Sequence, residues 1–408
     1  MNFKKYFSIL ENTVSLFSFK AIDLGMTLWL IPFLIVKVGI TNYGHYAFAM
    51  AFVLFFVNIL NYGFNLCTVR EIAKSKGDRD VLNRIFNQVV SVKFFLFIVL
   101  ALLYVFFVFL IPKFLAQKSL FLFAGILLFG DLFSLRWFFM GMEKMKYITL
   151  IHLAGTLIFL LGVVYYVNKP QDYIFIPLLE AIGMLVSTVF AFIWVFYHYK
   201  FRIKILSLNE IVSYLKINFS SFVSLVLPST YSIGVVFLVG LMGVPAHVSL
   251  MQIGVKVSAA FTSINTILTS VFFPLVNRKQ KVMGKVRLIL LAKGVFVSLL
   301  MYFLAEVLIS KWLGFENQTN LKNAVTVVTI LSPIPFLMAV ISSYGINGLL
   351  TYYKDNQFGW ITGVAFATMI VSGLFFIPKQ PFLGGALSFL LGRTIYGFLS
   401  FVYFKRIK

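Results

Sequence analysis

Charge is what this 408-residue chain has least of: Asp, Glu, Lys and Arg make up 12% of it, against about a quarter in soluble domains. Acidic residues are the scarcer sign, 13 against 35 Lys and Arg, for a formal net charge of +22. Cys67 is the single cysteine, which excludes an internal disulfide and any cysteine-rich metal centre. The four histidines (His45, His152, His198 and His247) fall at no metal-ligand spacing, so no metal site is expected. The chain also lacks a G-x-x-x-x-G-K-[ST] phosphate loop, an H-E-x-x-H pair and a G-x-G-x-x-G turn. It is therefore not expected to hydrolyse ATP or to carry a cofactor. Energy for any work it does must come from an ion gradient, a substrate gradient or a partner.

What is present is apolar. Hydrophobic residues reach 61% and the mean hydropathy is +0.96. Apolar runs long enough to cross about 30 Å of hydrocarbon recur along the whole length, about twelve in all, from 14–37 to 383–403. Their length specifies helices rather than the roughly ten-residue alternating strands of a barrel. The expectation is an all-α, polytopic membrane protein. Its basic residues cluster in alternate loops, about 22 in one set against about seven in the other, which is the positive-inside pattern and not a nucleic-acid footprint. That asymmetry places both termini in the cytoplasm. Lys4 and Lys5 precede an apolar run without a small-x-small cleavage site, so this segment is read as a retained first span.

The longest polar connection, "HYKFRIKILSLNEIVSYLK" (His198–Lys216), falls at the midpoint. Its alternating apolar and basic residues suggest an amphipathic helix on the inner leaflet. The expected organisation is a six-helix lobe over 1–200, a cytoplasmic linker over 201–216 and a second six-helix lobe over 217–408. The lobes echo one another: "NTVSLFS" and "NFSSFVS" open them, and each reaches a basic turn, at Arg70 and Arg278. Parallel repeats around a central midplane site are a transporter architecture.

Ionisable residues inside the spans are the site candidates, because each costs about 2.5–3.5 kcal/mol at mid-membrane on insertion scales. Lys20 and Asp23 sit three apart in the first span, Lys256 lies well inside the eighth and Arg393 midway along the twelfth. Lys20, Lys256 and Arg393 would leave a central cavity net positive and suited to an anion, with Asp23 as a self-neutralising partner of Lys20. Asp131, Arg136, Glu180, Lys293 and Glu306 are weaker candidates. Arg136 and Lys293 lie near span ends, where a long side chain snorkels, and Glu306 lies near the outer end. Prolines at 32, 177, 228, 274, 333 and 335 fall within spans and are expected to kink them. The outward loops are short, with Asp172 and Glu316 as their acids, which leaves little for outward catalysis.

Four stretches carry a family resemblance: "VGITNYGHYAFAMAF", "LNYGFNLCTVREIAKSKGD", "RWFFMGMEKMKY" and "HVSLMQIGVKVSAAFTSINTILTSVFFPLVNRK". They resemble the O-antigen and capsule repeat-unit flippases of the multidrug/oligosaccharidyl-lipid/polysaccharide superfamily. The match is densest in residues 12–150 and most specific at Arg70–Glu71. Two positions depart from the family pattern: Met140 replaces a usual Gln, and Arg393 stands where an acid is common. The resemblance implies a MATE-like, two-lobe transporter in the bacterial inner membrane. It would flip an undecaprenyl-diphosphate-linked oligosaccharide outward by alternating access, alongside membrane lipids and assembly proteins such as a polymerase. It further implies that Lys20 and Lys256 grip the diphosphate, that Asp23 tunes Lys20 or carries a coupling H+ (Na+ being the other candidate ion), and that Arg70 and Glu71 form an inner-gate clasp. The alternatives are a cation-coupled drug extruder of the same superfamily and a membrane-embedded glycan polymerase or transferase.

Overall fold

The computed structural model describes residues 3–75, 78–278, 282–313, 317–352 and 354–407, and these are overwhelmingly helical. Among the loop charges, Lys76, Lys279, Lys281 and Lys408 lie outside the described residues, as does Glu316. Nine stretches of the described residues are long and apolar enough to cross a membrane. The long helices are apolar all round. In α3 (Arg79–Leu110), Leu96, Leu100, Tyr104 and Val108 are buried at a spacing of four, while Phe94, Ile98, Leu102 and Phe109 stand exposed. A soluble helix carries polar residues on its outer face; here that face is phenylalanine and leucine, as lipid contact requires. In α11 (Met283–Leu313), Leu290, Gly294, Val297, Met301 and Ala305 are buried and Phe296, Leu299 and Phe303 exposed.

The chain divides into two compact units, residues 1–30 with 49–230, and residues 31–48 with 231–408. The helix α1 (Phe3–Leu60) contributes to both and is interrupted at Gly39, whose φ of 83° and ψ of 161° no L side chain adopts comfortably. The first unit continues with α2 (Cys67–Lys74), α3, the single turn α4 (Pro112–Leu115), α5 (Lys118–Leu132), α6 (Arg136–Gly141), α7 (Met145–Tyr166), α8 (Ile176–Tyr199) and the start of α9 (Leu208–Met242). The second holds the rest of α9, α10 (Pro245–Arg278), α11, α12 (Gln318–Leu331), α13 (Ile334–Val340), α14 (Asp355–Phe376) and α15 (Pro381–Ile407).

Within the first unit, the "LNYGFNLCTVREIA" stretch is a packing hub. After α1 the chain turns through Tyr62 (φ 34°) and Gly63 (φ 77°). The Tyr62 hydroxyl donates to the Leu215 carbonyl at 3.0 Å, and its ring stacks on Phe222. Phe64 is buried against Tyr214, whose hydroxyl meets Thr68 Oγ1 at 3.1 Å. α2 then lies against α6 so closely that a Cβ on Gly141 would sit 2.6 Å from Ile72 Cβ. The two motif segments therefore pack on each other.

The linker differs from expectation. α8 runs through Tyr199, residues 201–207 have no helix, and α9 begins at Leu208. The reason is on α3, where Asn83, Asn87 and Ser91 form a polar row at a spacing of four. Asn83 accepts from the Arg202 N–H, Asn87 donates to the Arg202 carbonyl and accepts from the Lys204 N–H, and Ser91 accepts from the Leu206 N–H. Alternate residues of an extended strap rise about 6.6 Å and every fourth helix residue about 6 Å, so the two repeats match. The side chains supply the hydrogen bonds that a helix would have supplied.

The prolines also divide. Pro32 and Pro228 lie inside helices, whereas Pro177 sits in the first turn of α8, where its missing N–H costs nothing. "LSPIPF" ends α12 and starts α13, which runs into a π-helical turn over Ile341–Ile346. Arg287 lies between the rings of Tyr344 and Phe404, 4.5 Å from each, tying α11 to that turn and to α15. The Pro274 side chain lies outside the described set.

Candidate functional site

A cavity of about 600 Å³ lies inside the first unit. It exists because the fourth span is broken. α5 stops at Leu132, the chain turns through Phe133–Leu135, and α6 restarts at Arg136. Lys93, from α3, holds the break: its ammonium donates at 2.6 Å to the Asp131 carbonyl, which also accepts from the Ser134 N–H, and at 3.5 Å to the Ser134 carbonyl. The same ammonium pairs with the Asp131 carboxylate at 3.2 Å, and Asn61 Nδ2 donates to that oxygen at 3.0 Å. Lys93 and Asp131 are buried.

The break aims Arg136 into the cavity. Its guanidinium lies 5.0 Å from the Phe19 ring centre, and the His152 ring lies 4.4 Å from the same ring. Asp23, one turn after Phe19, is within electrostatic reach of both Arg136 and His152. The wall is completed by Asn58, Asn61 and Asn65, by Ser134, Thr156, Ser187 and Thr188, by Glu180, and by apolar surface from Phe139, Phe159, Met140 and Met184. Close approach of α7 and α8 at Gly155 and Gly183 forms the floor; a Cβ on Gly155 would meet Ser187 Oγ at 2.8 Å.

The sequence candidates thus sort by surroundings. Asp131, Arg136 and Glu180 converge on one cavity. Arg136, exposed at the start of α6, lines that cavity with its guanidinium over the Phe19 ring. Lys20 and Asp23 are both exposed, and among the described residues the self-neutralising pair does not form; the ion pair found is Lys93–Asp131. Phe19 and Asp23 share the face that meets Arg136 and His152, and Lys20, one residue on from Phe19, is rotated off it. In the second unit, Lys256 is partly buried on α10. Arg393 is clamped by rings, 4.2 Å from Tyr231 and 5.3 Å from Phe389. Lys293 does not snorkel: its ammonium donates to Asn265 Oδ1 at 2.9 Å, and Asn265 donates onward to the Pro335 carbonyl at 2.7 Å. Glu306 is exposed. At the end of α2, Arg70 is exposed and Glu71 half-buried. Burial pushes the Glu71 carboxyl above its ordinary range, and the charges of Arg84 and Lys74 pull it part of the way back.

Lys93 is the site residue that sequence reasoning missed. The apolar run in the sequence starts beside Lys93, whereas the helix begins at Arg79 and carries Lys93 into the interior. The signal was a lone lysine in "VVSVKFFLF" opposite a lone aspartate in "LLFGDLF".

Residues 9–280 match the family described as "Polysaccharide biosynthesis protein". The chain belongs to that family. Among curated relatives, the "Putative O-antigen transporter" of Escherichia coli (strain K12) is 26% identical over 363 residues, covering 87% of this chain and 86% of that one. The protein of the same description from Shigella dysenteriae is 28% identical over 213 residues, covering 50% and 52%. Among solved structures, "Lipid II flippase MurJ, inward closed conformation" superposes with a TM-score of 0.76 at 13% identity, over 97% of this chain and 87% of that one. An inward-facing multidrug resistance MATE family transporter of the MOP superfamily follows at 0.66 and 14%, over 93% and 94%. At such identities the superpositions establish the fold alone: this family member is an all-α, polytopic membrane protein with the fold of those transporters.

Proposed function

We propose that this protein is a membrane transporter rather than an enzyme, and that it flips a lipid-linked oligosaccharide, the undecaprenyl-diphosphate-borne repeat unit of an O-antigen or capsule, from the cytoplasmic to the outer leaflet of a bacterial inner membrane. The observation that carries this reading is the match to the "Putative O-antigen transporter" of Escherichia coli (strain K12) along 87% of this chain. It is supported by a cavity of about 600 Å³, lined by both polar and apolar side chains, within an otherwise lipid-facing helical unit. A diphosphate bears about two negative charges and does not cross hydrocarbon bare. Lys20 of the first unit and Lys256 of the second are proposed to give it charge-assisted hydrogen bonds during the cycle. Lysines suit a ligand that must also be released, since they act as point charges and not as bidentate clamps. Asp23, facing Arg136 and His152, is the proposed coupling-proton residue, and Arg70 with Glu71 the proposed inner-gate clasp.

The test is complementation of surface-glycan export in a strain lacking the transporter. Lys20→Ala and Lys256→Ala are each expected to accumulate normally in the membrane and to lose most export, with Lys20→Arg retaining part. Asp23→Asn should alter the pH dependence of export. Wild-type export by both alanine variants would sink the cationic mechanism.

A further inference from the structure

The cavity of the first unit has a charge balance that does not suit a diphosphate. Its ionisable lining is Asp131, Arg136, His152 and Glu180, with Asp23 within electrostatic reach of Arg136 and the buried Lys93 bonded to Asp131, so Arg136 and Lys93 are matched by three carboxylates. A doubly negative group gains nothing overall from such a site. What the cavity offers instead is hydrogen-bonding capacity beside apolar faces. Asn58 and Asn65 carry amides with no hydrogen-bond partner among the described residues, each able to donate and accept. His152 Nε2 is buried without a partner. Phe19, half-buried, presents ring surface to the same space, while Phe139 and Phe159 are almost wholly buried in the wall. Paired donor–acceptor groups next to aromatic rings match a ligand with vicinal hydroxyls on one edge and C–H groups on its faces.

We infer that this cavity is a saccharide subsite, holding uncharged sugar of the lipid-linked substrate while its diphosphate is held elsewhere. The inference rests on the flippase reading and adds to it a division of labour. Sugar recognition belongs to the amides at positions 58 and 65, and charge recognition to residues outside this cavity. Arg136 and His152 both pack on the Phe19 ring, which fixes their place in the wall.

The experiment uses the full chain purified in detergent and native mass spectrometry with two probes. One is the lipid-free repeat-unit oligosaccharide released by mild acid from the host's lipid-linked pool; the other is undecaprenyl diphosphate without sugar. Wild-type protein should retain both. Asn58→Leu and Asn65→Leu should each weaken oligosaccharide retention by roughly tenfold, the scale of losing one buried hydrogen-bond set, and leave undecaprenyl diphosphate retention within about twofold. Asn58→Gln, which keeps the amide, should recover much of the loss. If a leucine variant melts early, the alanine variants replace it in the same two arms. Oligosaccharide retention that survives both substitutions, or that is absent from wild-type protein while undecaprenyl diphosphate binds, overturns the saccharide subsite and leaves the flippase reading standing. Wild-type protein that retains neither probe overturns the flippase reading itself.

Discussion

Lys93 and Asp131 show how a charge is carried inside this protein. Each is nearly inaccessible, with side-chain exposures of 2% and 7%, and each is covered by more than its partner: Lys93 by two carbonyls, Asp131 by the Asn61 amide. Breaking a buried pair strands one charge and typically costs about 3–5 kcal/mol, whereas replacing both by apolar residues of like volume is often close to neutral. Lys93→Met is therefore expected to lower the melting temperature and folded yield sharply, and Lys93→Met combined with Asp131→Leu to recover most of both. Export should stay impaired in the double variant, because Asp131 also lines the cavity. A double variant as unstable as Lys93→Met alone would refute the pair as the source of the cost. A second residue-scale expectation concerns Gly141. An added Cβ would meet three Ile72 side-chain atoms within 3.0 Å, so Gly141→Ala should lose roughly 1–3 kcal/mol by overpacking. Ile72→Ala on the same background should restore part of the loss in a thermal melt.

Among the elements, the strap over 201–207 and the head of α9 are where local chemistry overrode pattern. The alternation of apolar and basic residues in "HYKFRIKIL" is compatible with either a surface helix or an extended segment. The partner decided between them, since nothing within the strap announces that Asn83, Asn87 and Ser91 wait at matching intervals over a hundred residues earlier. Asn87→Ala should release the strap, read as faster amide exchange at Arg202 and Lys204 than in wild type, with the exchange of α7 as an unaffected control. α9 itself begins with a capping box: Ser207 donates its N–H and hydroxyl to Glu210 Oε2 at 2.8 and 2.7 Å, and Glu210 N–H reaches back to Ser207 Oγ. Those bonds hold the Glu210 carboxyl below its ordinary range. A lowered folded-state pKa contributes stability that is present above the unfolded value and lost as pH falls through the folded one. Exchange at residues 208–212 should therefore accelerate below the usual glutamate range, and Glu210→Gln should remove that dependence. The capping box was legible as S-x-x-E; the strap was not.

At the scale of the whole molecule, periodicity and run length were sufficient for the fold, because a membrane protein's constraint is simple. Every backbone bond must be made within a segment, so each long apolar run becomes a helix. The site was only partly legible. Asp131, Arg136 and Glu180 stand out as charges in apolar sequence, yet their convergence depends on a helix break at 133–135 that no proline or glycine pair marks. The expected Lys20–Asp23 pair failed for a related reason: spacing places two residues on one helix face, but the neighbouring helix decides which of them is used, and here it meets Phe19 and Asp23. Orientation in the membrane remains a property of the loops, carried by the excess of basic residues on one side. Arg79, whose guanidinium donates to the carbonyls of Tyr199 and Lys200, and Arg202 and Lys204 on the strap all belong to that richer side. Reporter fusions after residue 78 and residue 207 should therefore read cytoplasmic, and one after residue 170 periplasmic. Export of a lipid-linked glycan requires that the substrate be loaded where it is made, on the cytoplasmic leaflet. A periplasmic signal at 78 and 207 would invert the chain and, with it, the direction of transport proposed here.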